Sequence, residues 1–144
     1  MPLPLISAAT AAVLLLLQLI LMVLVGLRRG RAGVFVGEGE DPHLLRRIRR
    51  HGNLAENAGL FIAALTLLEL IGAEPRVVAL LASAFVVARI CHAIAFSSLT
   101  GSHGEPGSRL FVGARIVGAF GTLLTGLATV VQLLLTVSRQ FDSL

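Results

Sequence analysis

Lysine, tryptophan and tyrosine are absent from the 144-residue sequence, and the lone Cys91 excludes an internal disulfide. Charged residues make up only 14% of the chain and hydrophobic residues 56%, against roughly 25% and 45–50% in a soluble domain. All twelve cationic residues are arginine. Without Trp or Tyr, and with its seven Phe mostly inside apolar runs, the chain lacks aromatic platforms for nucleic-acid bases, so no nucleic-acid partner is expected. The composition instead predicts a membrane protein.

Four long apolar segments, separated by short charged segments, predict an all-α membrane domain with four transmembrane helices. The predicted spans are residues 5–27, 43–72, 76–97 and 109–137 of a single domain covering residues 1–144. At about 1.5 Å per residue, each is long enough to cross a hydrocarbon layer of about 30 Å. The first segment lacks a basic leader and is longer than the apolar core of a signal peptide, so we expect it to remain as a span.

The arginine distribution predicts the orientation of the spans, because cytoplasmic loops collect positive charge. Seven arginines lie between spans one and two, and Arg109 follows the connection between spans three and four. Only Arg76 and Arg139 flank the spans on the other side. Both termini are therefore predicted to be external, with the two arginine-bearing connections in the cytoplasm. For a bacterial protein this is an inner-membrane location.

Polar residues within the apolar segments are candidates for a binding site, because a charge at membrane depth is costly unless it is paired or faces a polar cavity. In the segment RIRRHGNLAEN, helical spacing places Arg49, Asn53, Glu56 and Asn57 on one face. This face carries both signs of charge. The solvated start of an amphipathic helix would explain the pattern as well as a binding site does.

A second polar group lies in the third span, where ARICHAIAF places Arg89, His92 and Phe96 at helical spacing. Arg89 is expected to pair with Glu56, since spans two and three are antiparallel neighbours. Such a pair could be purely structural and fix the register of the two helices. No metal site is expected, because no second ligand stands four residues from His92.

The fourth span carries Arg115 about two turns inside its start. Farther along, Gly118, Thr122 and Gly126 recur every four residues and predict a close helix contact. Arginines from three different spans could thus converge at the cytoplasmic end of one bundle. That arrangement suits a ligand with two carboxylates, and an ammonium group on the same ligand would suit a nearby glutamate.

These three segments resemble the signatures of the MAPEG family, the membrane-associated proteins in eicosanoid and glutathione metabolism. Arg49, Asn53 and Glu56 match the helix-two pattern Arg-x-x-x-Asn-x-x-Glu. The stretch ARICHAIAF is similar to the helix-three pattern Arg-x-x-His/Tyr-x-x-x-aromatic, and ARIVGAFGT is similar to the bacterial helix-four start Arg-x-x-Gly-x-x-x-Thr. The resemblance covers essentially the whole chain, including its length and its four spans.

The resemblance implies a MAPEG-like homotrimer of four-helix subunits in membrane lipid, with glutathione as co-substrate between neighbouring subunits near the cytoplasmic side. It implies that Arg115 is catalytic, because a cation beside the sulfur lowers the pKa of the thiol and raises the thiolate fraction. The glutathione contacts that it implies are Arg49, His51, Asn53, Glu56, Asn57, Arg89, His92 and Phe96, with Arg28 or Arg29 reaching the ligand from span one.

The sequence also departs from parts of the family. Animal members often have tyrosine at the positions of Phe96 or Asn57, and one branch has serine at the position of Ile116. Without these hydroxyls, prostaglandin or leukotriene synthesis is not expected. The resemblance then implies a glutathione transferase or glutathione-dependent peroxidase acting on a hydrophobic small molecule or lipid substrate. Because the connection 98–108 is longer than in some relatives, Arg109 remains an alternative to Arg115.

Two other functions remain open at this point. A non-catalytic lipid- and glutathione-binding protein, as in the lipoxygenase-activating branch, would keep the fold without the chemistry. A small four-span exporter is the other alternative, but such exporters typically place a carboxylate within span one. This chain has only Gln18 at the centre of that span.

Overall fold

A computed structural model describes residues 3–99 and 109–142 of the chain. In this part the chain forms four helices and no strand: α1 (Leu5–Ala32), α2 (Pro42–Leu70), α3 (Pro75–Ala95) and α4 (Arg109–Phe141). All four are long and apolar enough to span a membrane. The predicted all-helical, four-span architecture is therefore confirmed.

The first helix is longer than its apolar run. It continues past the predicted end at Leu27 to Ala32 and stops at Gly33, whose left-handed φ of 65° lets its N–H donate to the carbonyl of Arg29. Arginines at the end of a helix are compatible with the helical state, because positive charge is favourable near the negative end of the helix dipole. The polar residues after the apolar run therefore extend the helix and do not end it.

Acidic caps and prolines start the next two helices. Asp41 accepts a hydrogen bond from the N–H of His43 at 3.0 Å, one residue before Pro42 opens α2. Glu74 accepts one from the N–H of Val77 at 3.1 Å before Pro75 opens α3. Proline suits the first helical position because its fixed φ is helical and its missing N–H is not needed there. The short α2–α3 turn makes these helices antiparallel neighbours.

The most extensive helix contact is between α3 and α4, and two glycines make it possible. A Cβ on Gly118 would lie 2.7 Å from the backbone nitrogen of His92, and one on Gly121 would lie 2.9 Å from the Cβ of Ala88. A Cβ on Gly126 would meet nothing within 4 Å. The predicted small-residue contact exists, but Gly121 takes the place assigned to Gly126.

Apolar side chains fill the centre of the bundle and also cover its outside. Phe61 and Phe85 stack at the α2–α3 contact with ring centroids 3.7 Å apart. Many leucines, valines and isoleucines on all four helices point outward, and Leu60, for example, is 80% exposed. An outward apolar surface of this extent requires lipid, because soluble proteins rarely expose contiguous apolar patches above a few hundred Å². The chain is an integral membrane protein.

Glu69, near the end of the apolar part of α2, connects α2 to the start of α1. Glu69 accepts hydrogen bonds from the backbone N–H of Ile6 at 3.1 Å and of Ser7 at 2.6 Å, and also from the Ser7 hydroxyl. These N–H groups belong to the first turn of α1, where they have no partner within the helix. Glu69 therefore caps α1 and fixes its start against the end of α2.

Candidate functional site

The predicted site residues of α2 and α3 meet around a small polar cavity, called the site cavity below. Its volume is about 160 Å³. It lies at the end of the bundle that carries the α1–α2 connection. Five predicted ligand-binding residues line it together with Ile48 and Gly52: Arg49, Asn53, Glu56, His92 and Phe96.

Two opposite charges on α2 face the site cavity without partners. Arg49 and Glu56 are both exposed, and within residues 3–99 and 109–142 neither side chain makes a hydrogen bond or ion pair. They are two helical turns apart, about 10 Å along the axis. The cavity wall therefore offers a cation at one end and an anion at the other, which suits a ligand carrying a carboxylate and an ammonium group.

Arg89 does not pair with Glu56, so that prediction is wrong. Arg89 is only 3% exposed, and its Nη1 donates to the amide oxygen of Asn53 at 2.7 Å. Its Nη2 donates to the carbonyl of Gly118 at 2.8 Å and to the hydroxyl of Thr122. The rotation of α2 turns Asn53 toward α3 and leaves Glu56 on the outer side.

Arg89 thus lies behind the site cavity and does not line it. Its neutral oxygen partners come from α2 and α4, so one buried side chain connects three helices. No carboxylate in the described part of the chain lies within 4.0 Å of it. Arg89 therefore fixes the amide of Asn53, which lines the site cavity.

The predicted catalytic residue lies at the edge of the site cavity. The rings of His92 and Phe96 stack with centroids 4.8 Å apart, and the guanidinium carbon of Arg115 lies 5.4 Å from the centroid of Phe96. This is a cation–π distance. Arg115 is exposed and does not line the cavity. The structure brings it next to the cavity wall through Phe96, whereas Arg109 begins α4, about 9 Å farther along the axis.

The structure places His51 away from the site cavity. Its Nε2 lies 2.7 Å from the amide nitrogen of Gln18 on α1. Residue 51 is two positions from both Arg49 and Asn53, and this spacing turns it to the other side of α2. Asn57 donates to the carbonyl of Asn53 at 2.7 Å and does not line the site cavity either.

Arg28 and Arg29 hold the α1–α2 connection and do not reach the site cavity. Arg28 donates to both carboxylate oxygens of Asp41, at 2.7 and 3.0 Å. Arg29 donates to the carbonyls of Val34 and Gly37 at 3.3 and 2.8 Å. The hydrogen bond from Arg28 lowers the pKa of Asp41 to about 2, and the N–H groups of the α2 start contribute in the same direction.

An apolar cavity of about 250 Å³ adjoins the site cavity, and sequence reasoning did not find it. Glu56 lines both spaces, and the stacked Phe61 and Phe85 form one wall of the apolar cavity. Thr122 and Gly126 contribute from α4. The small residues of α4 predicted a helix contact in the sequence and not this space. Glu56 therefore lies where a polar and an apolar space meet.

The sequence matches the family model of the MAPEG family over residues 7–138. This chain belongs to the MAPEG family. The match includes every residue of the site cavity and confirms the resemblance drawn from the three motifs. The family comprises membrane four-helix bundles, among them glutathione transferases and non-catalytic proteins. The comparison with curated proteins and the comparison with solved structures found no match.

Proposed function

We propose that this MAPEG protein is a membrane-embedded glutathione transferase or glutathione-dependent peroxidase that acts on hydrophobic electrophiles or lipid peroxides. The observation that carries the proposal is the site cavity, in which Arg49 and Glu56 stand unpaired beside Asn53, His92 and Phe96. MAPEG proteins typically bind glutathione. Unpaired charges of both signs in a membrane protein indicate a ligand that supplies the counter-charges.

Glutathione carries two carboxylates, one ammonium group and one thiol. In the proposed complex Arg49 binds a carboxylate and Glu56 binds the ammonium group, each through charge-assisted hydrogen bonds. Asn53 presents its amide from a position fixed by Arg89. In this assignment, each of the two charged residues of the cavity pairs with one group of opposite charge on the ligand.

The site is proposed to be completed by neighbouring subunits of a homotrimer. At about 160 Å³, the site cavity is smaller than the roughly 300–1,000 Å³ typical of pockets for ligands of drug size. Arg49 and Glu56 are exposed in the single subunit. A second copy against this face would enlarge the binding surface and exclude water from the two charges.

Arg115 is proposed to stabilise the thiolate of the bound glutathione. A thiol with a pKa near 8.5 is mostly protonated at neutral pH, so a nearby guanidinium raises the reactive fraction. In conjugation, the thiol proton goes to solvent, the sulfur forms a bond to the electrophilic carbon, and the leaving group departs with its bonding electrons. In peroxide reduction, the thiolate takes the terminal OH of the hydroperoxide to give the sulfenic acid, and the alkoxide released from the O–O bond takes a proton from solvent to give an alcohol. A second glutathione converts the sulfenic acid to the disulfide and water.

The surface beside Arg115 suits hydrophobic substrates that arrive through the bilayer. Ile116 and Phe120 follow it on the exposed surface of α4. Neither offers a hydroxyl or a charge, so substrate selection there depends on apolar contact.

A non-catalytic glutathione-binding protein is the second candidate. It is favoured by the position of Arg115, which is exposed and does not line the site cavity of the single subunit. Both candidates require glutathione binding. They differ in whether the bound sulfur is a thiolate.

Calorimetric titration of the detergent-solubilised protein with glutathione tests both. The wild type is expected to bind, and Arg49→Gln and Glu56→Gln are each expected to weaken binding about tenfold or more, because each removes a charge-assisted hydrogen bond. Arg31→Gln and Glu40→Gln are matched controls, since both residues are exposed and neither lines the cavity. Absence of binding by the wild type, or equal losses in the controls, would contradict the proposal.

A further inference from the structure

A second polar cavity, called the distal cavity below, lies at the opposite end of the bundle from the site cavity. It is formed by the α2–α3 turn and the last turns of α4, and its volume is about 460 Å³. The residues that matter for its chemistry are Glu74, Gln132, Thr136 and Arg139. None of the residues proposed to bind glutathione lines it.

Two opposite charges face the distal cavity without pairing with each other. Glu74 and Arg139 are both exposed, and no ion pair within 4.0 Å joins them. One oxygen of Glu74 caps the N–H of Val77, which leaves the other oxygen open. Within residues 3–99 and 109–142 the guanidinium of Arg139 has no hydrogen-bond or ion-pair partner. The cavity therefore offers a separate acceptor and donor for a ligand that carries both charges.

The deeper wall of the distal cavity is also polar. The amide nitrogen of Gln132 donates to the hydroxyl of Thr136 at 3.3 Å, and this hydroxyl donates to the carbonyl of Gln132 at 2.8 Å. Gln132 lies about 10 Å below Arg139 along α4. Its amide has a second N–H that remains open to an acceptor. The polar lining thus extends from the helix end into the apolar layer.

We propose that the distal cavity binds the headgroup of a phospholipid with a primary ammonium group, of the phosphatidylethanolamine type. The phosphate binds Arg139 and the ammonium group binds Glu74, and the open N–H of Gln132 meets an ester carbonyl of the same lipid. The cavity lies at the ends of three membrane-spanning helices. Exposed Leu135 lies one turn from Arg139 on α4, and exposed Leu80 lies one turn from the cavity-lining Val77 on α3, so both provide apolar surface for the acyl chains.

Lipid competition on the purified full-length protein tests this assignment. The protein in detergent is mixed with equal amounts of phosphatidylethanolamine, phosphatidylcholine and phosphatidylglycerol, and retained lipids are counted by native mass spectrometry. The wild type is expected to retain phosphatidylethanolamine. Arg139→Gln and Glu74→Gln are each expected to lower this retention about tenfold, as the loss of one charge-assisted hydrogen bond implies.

Matched controls separate this site from general surface charge. Arg76 and Asp142 are exposed near the same end of the bundle and do not line the distal cavity. Arg76→Gln and Asp142→Asn should therefore retain the lipid as the wild type does. Arg139→Lys keeps the positive charge and should retain more lipid than Arg139→Gln, which gives a usable comparison if the glutamine variant fails to fold.

Four results would overturn the proposal. Equal losses in the control variants would show a diffuse electrostatic effect, and stronger retention of phosphatidylglycerol would show that the site selects anions only. Equally tight binding of free phosphoethanolamine would show that the ligand is a soluble zwitterion. A changed subunit count in Arg139→Gln would show that the distal cavity is a contact between copies of the chain.

Discussion

The buried contact between Arg89 and Asn53 allows a quantitative test of how the site is held together. Arg89→Met removes the donor for the Asn53 amide oxygen and the Gly118 carbonyl, which accept at 2.7 and 2.8 Å. The Gly118 carbonyl keeps the hydroxyl of Thr122 as a donor at 2.7 Å. Only the Asn53 amide oxygen is left unpaired, so the substitution should destabilise the protein by about 1–3 kcal/mol. Asn53→Ala removes one of these contacts and should cost about 1–3 kcal/mol.

A double-mutant cycle separates the energy of the Arg89–Asn53 hydrogen bond from that of the other contacts of the two residues. Unfolding is followed by helical circular dichroism during titration of detergent micelles with sodium dodecyl sulfate. The combined Arg89→Met and Asn53→Ala variant should lose less than the sum of the single losses, by about 1–2 kcal/mol, because both remove the same hydrogen bond. The pair Arg89→Met and Glu56→Gln is the control and should be additive within about 0.5 kcal/mol.

Two outcomes would refute the reasoning. Additive losses for Arg89 and Asn53 would mean that their hydrogen bond contributes nothing to stability. Coupling between Arg89 and Glu56 as strong as that between Arg89 and Asn53 would restore the ion pair expected from the sequence.

Three further predictions concern packing, pH and orientation. Gly118→Ala should destabilise the protein by about 1–3 kcal/mol in the same titration, because its Cβ would lie 2.7 Å from a backbone nitrogen of α3, whereas Gly113→Ala meets nothing within 4 Å and should not. The pKa of Asp41 is lowered from 3.8 to about 2, so its pairing with Arg28 stabilises the fold above pH 3.8 and this stabilisation is lost as the pH falls toward 2. Thermal unfolding against pH should show the full loss in the wild type and a smaller one in Arg28→Gln, where the N–H groups of the α2 start still bind the carboxylate. A reporter fused after Leu144 should be external, and a cytoplasmic signal from the intact fusion would reverse the predicted topology.

Helical periodicity explains why much of the site could be predicted from the sequence. Arg49, Asn53 and Glu56 share a face because of their spacing within one helix, and His92 and Phe96 do so for the same reason. Apolar run length likewise predicts the four spans. These properties depend only on residues close together in the chain.

The wrong expectations depend on how one helix is rotated against another. Whether Asn53 or Glu56 meets Arg89 is decided by the packing between α2 and α3, including the stacked Phe61 and Phe85. Such packing involves shape complementarity between distant segments, which residue spacing does not contain.

The observed contacts of Arg28 and His51 could not be predicted from the sequence for a similar reason. Arg28 pairs with Asp41 across the α1–α2 connection, and His51 forms a hydrogen bond with Gln18 on α1. Nothing in the sequence around Asp41 or Gln18 indicates that either residue binds a side chain from another helix. The distal cavity was not predicted because Glu74 and Arg139 come together only when the helix ends are assembled.

The central claim is that Arg115 stabilises the thiolate of glutathione bound in the site cavity. The most direct test is the ultraviolet absorbance of the thiolate on adding glutathione to the wild type, Arg115→Leu and Arg109→Leu, with glutathione affinity measured in parallel. Lowering the pKa of the glutathione thiol by two units corresponds to roughly 2.7 kcal/mol of thiolate stabilisation. The account predicts a thiolate signal in the wild type and in Arg109→Leu, and its loss in Arg115→Leu with glutathione affinity nearly unchanged. A wild type that binds glutathione without a thiolate signal, or an Arg115→Leu variant that keeps the full signal, would contradict it.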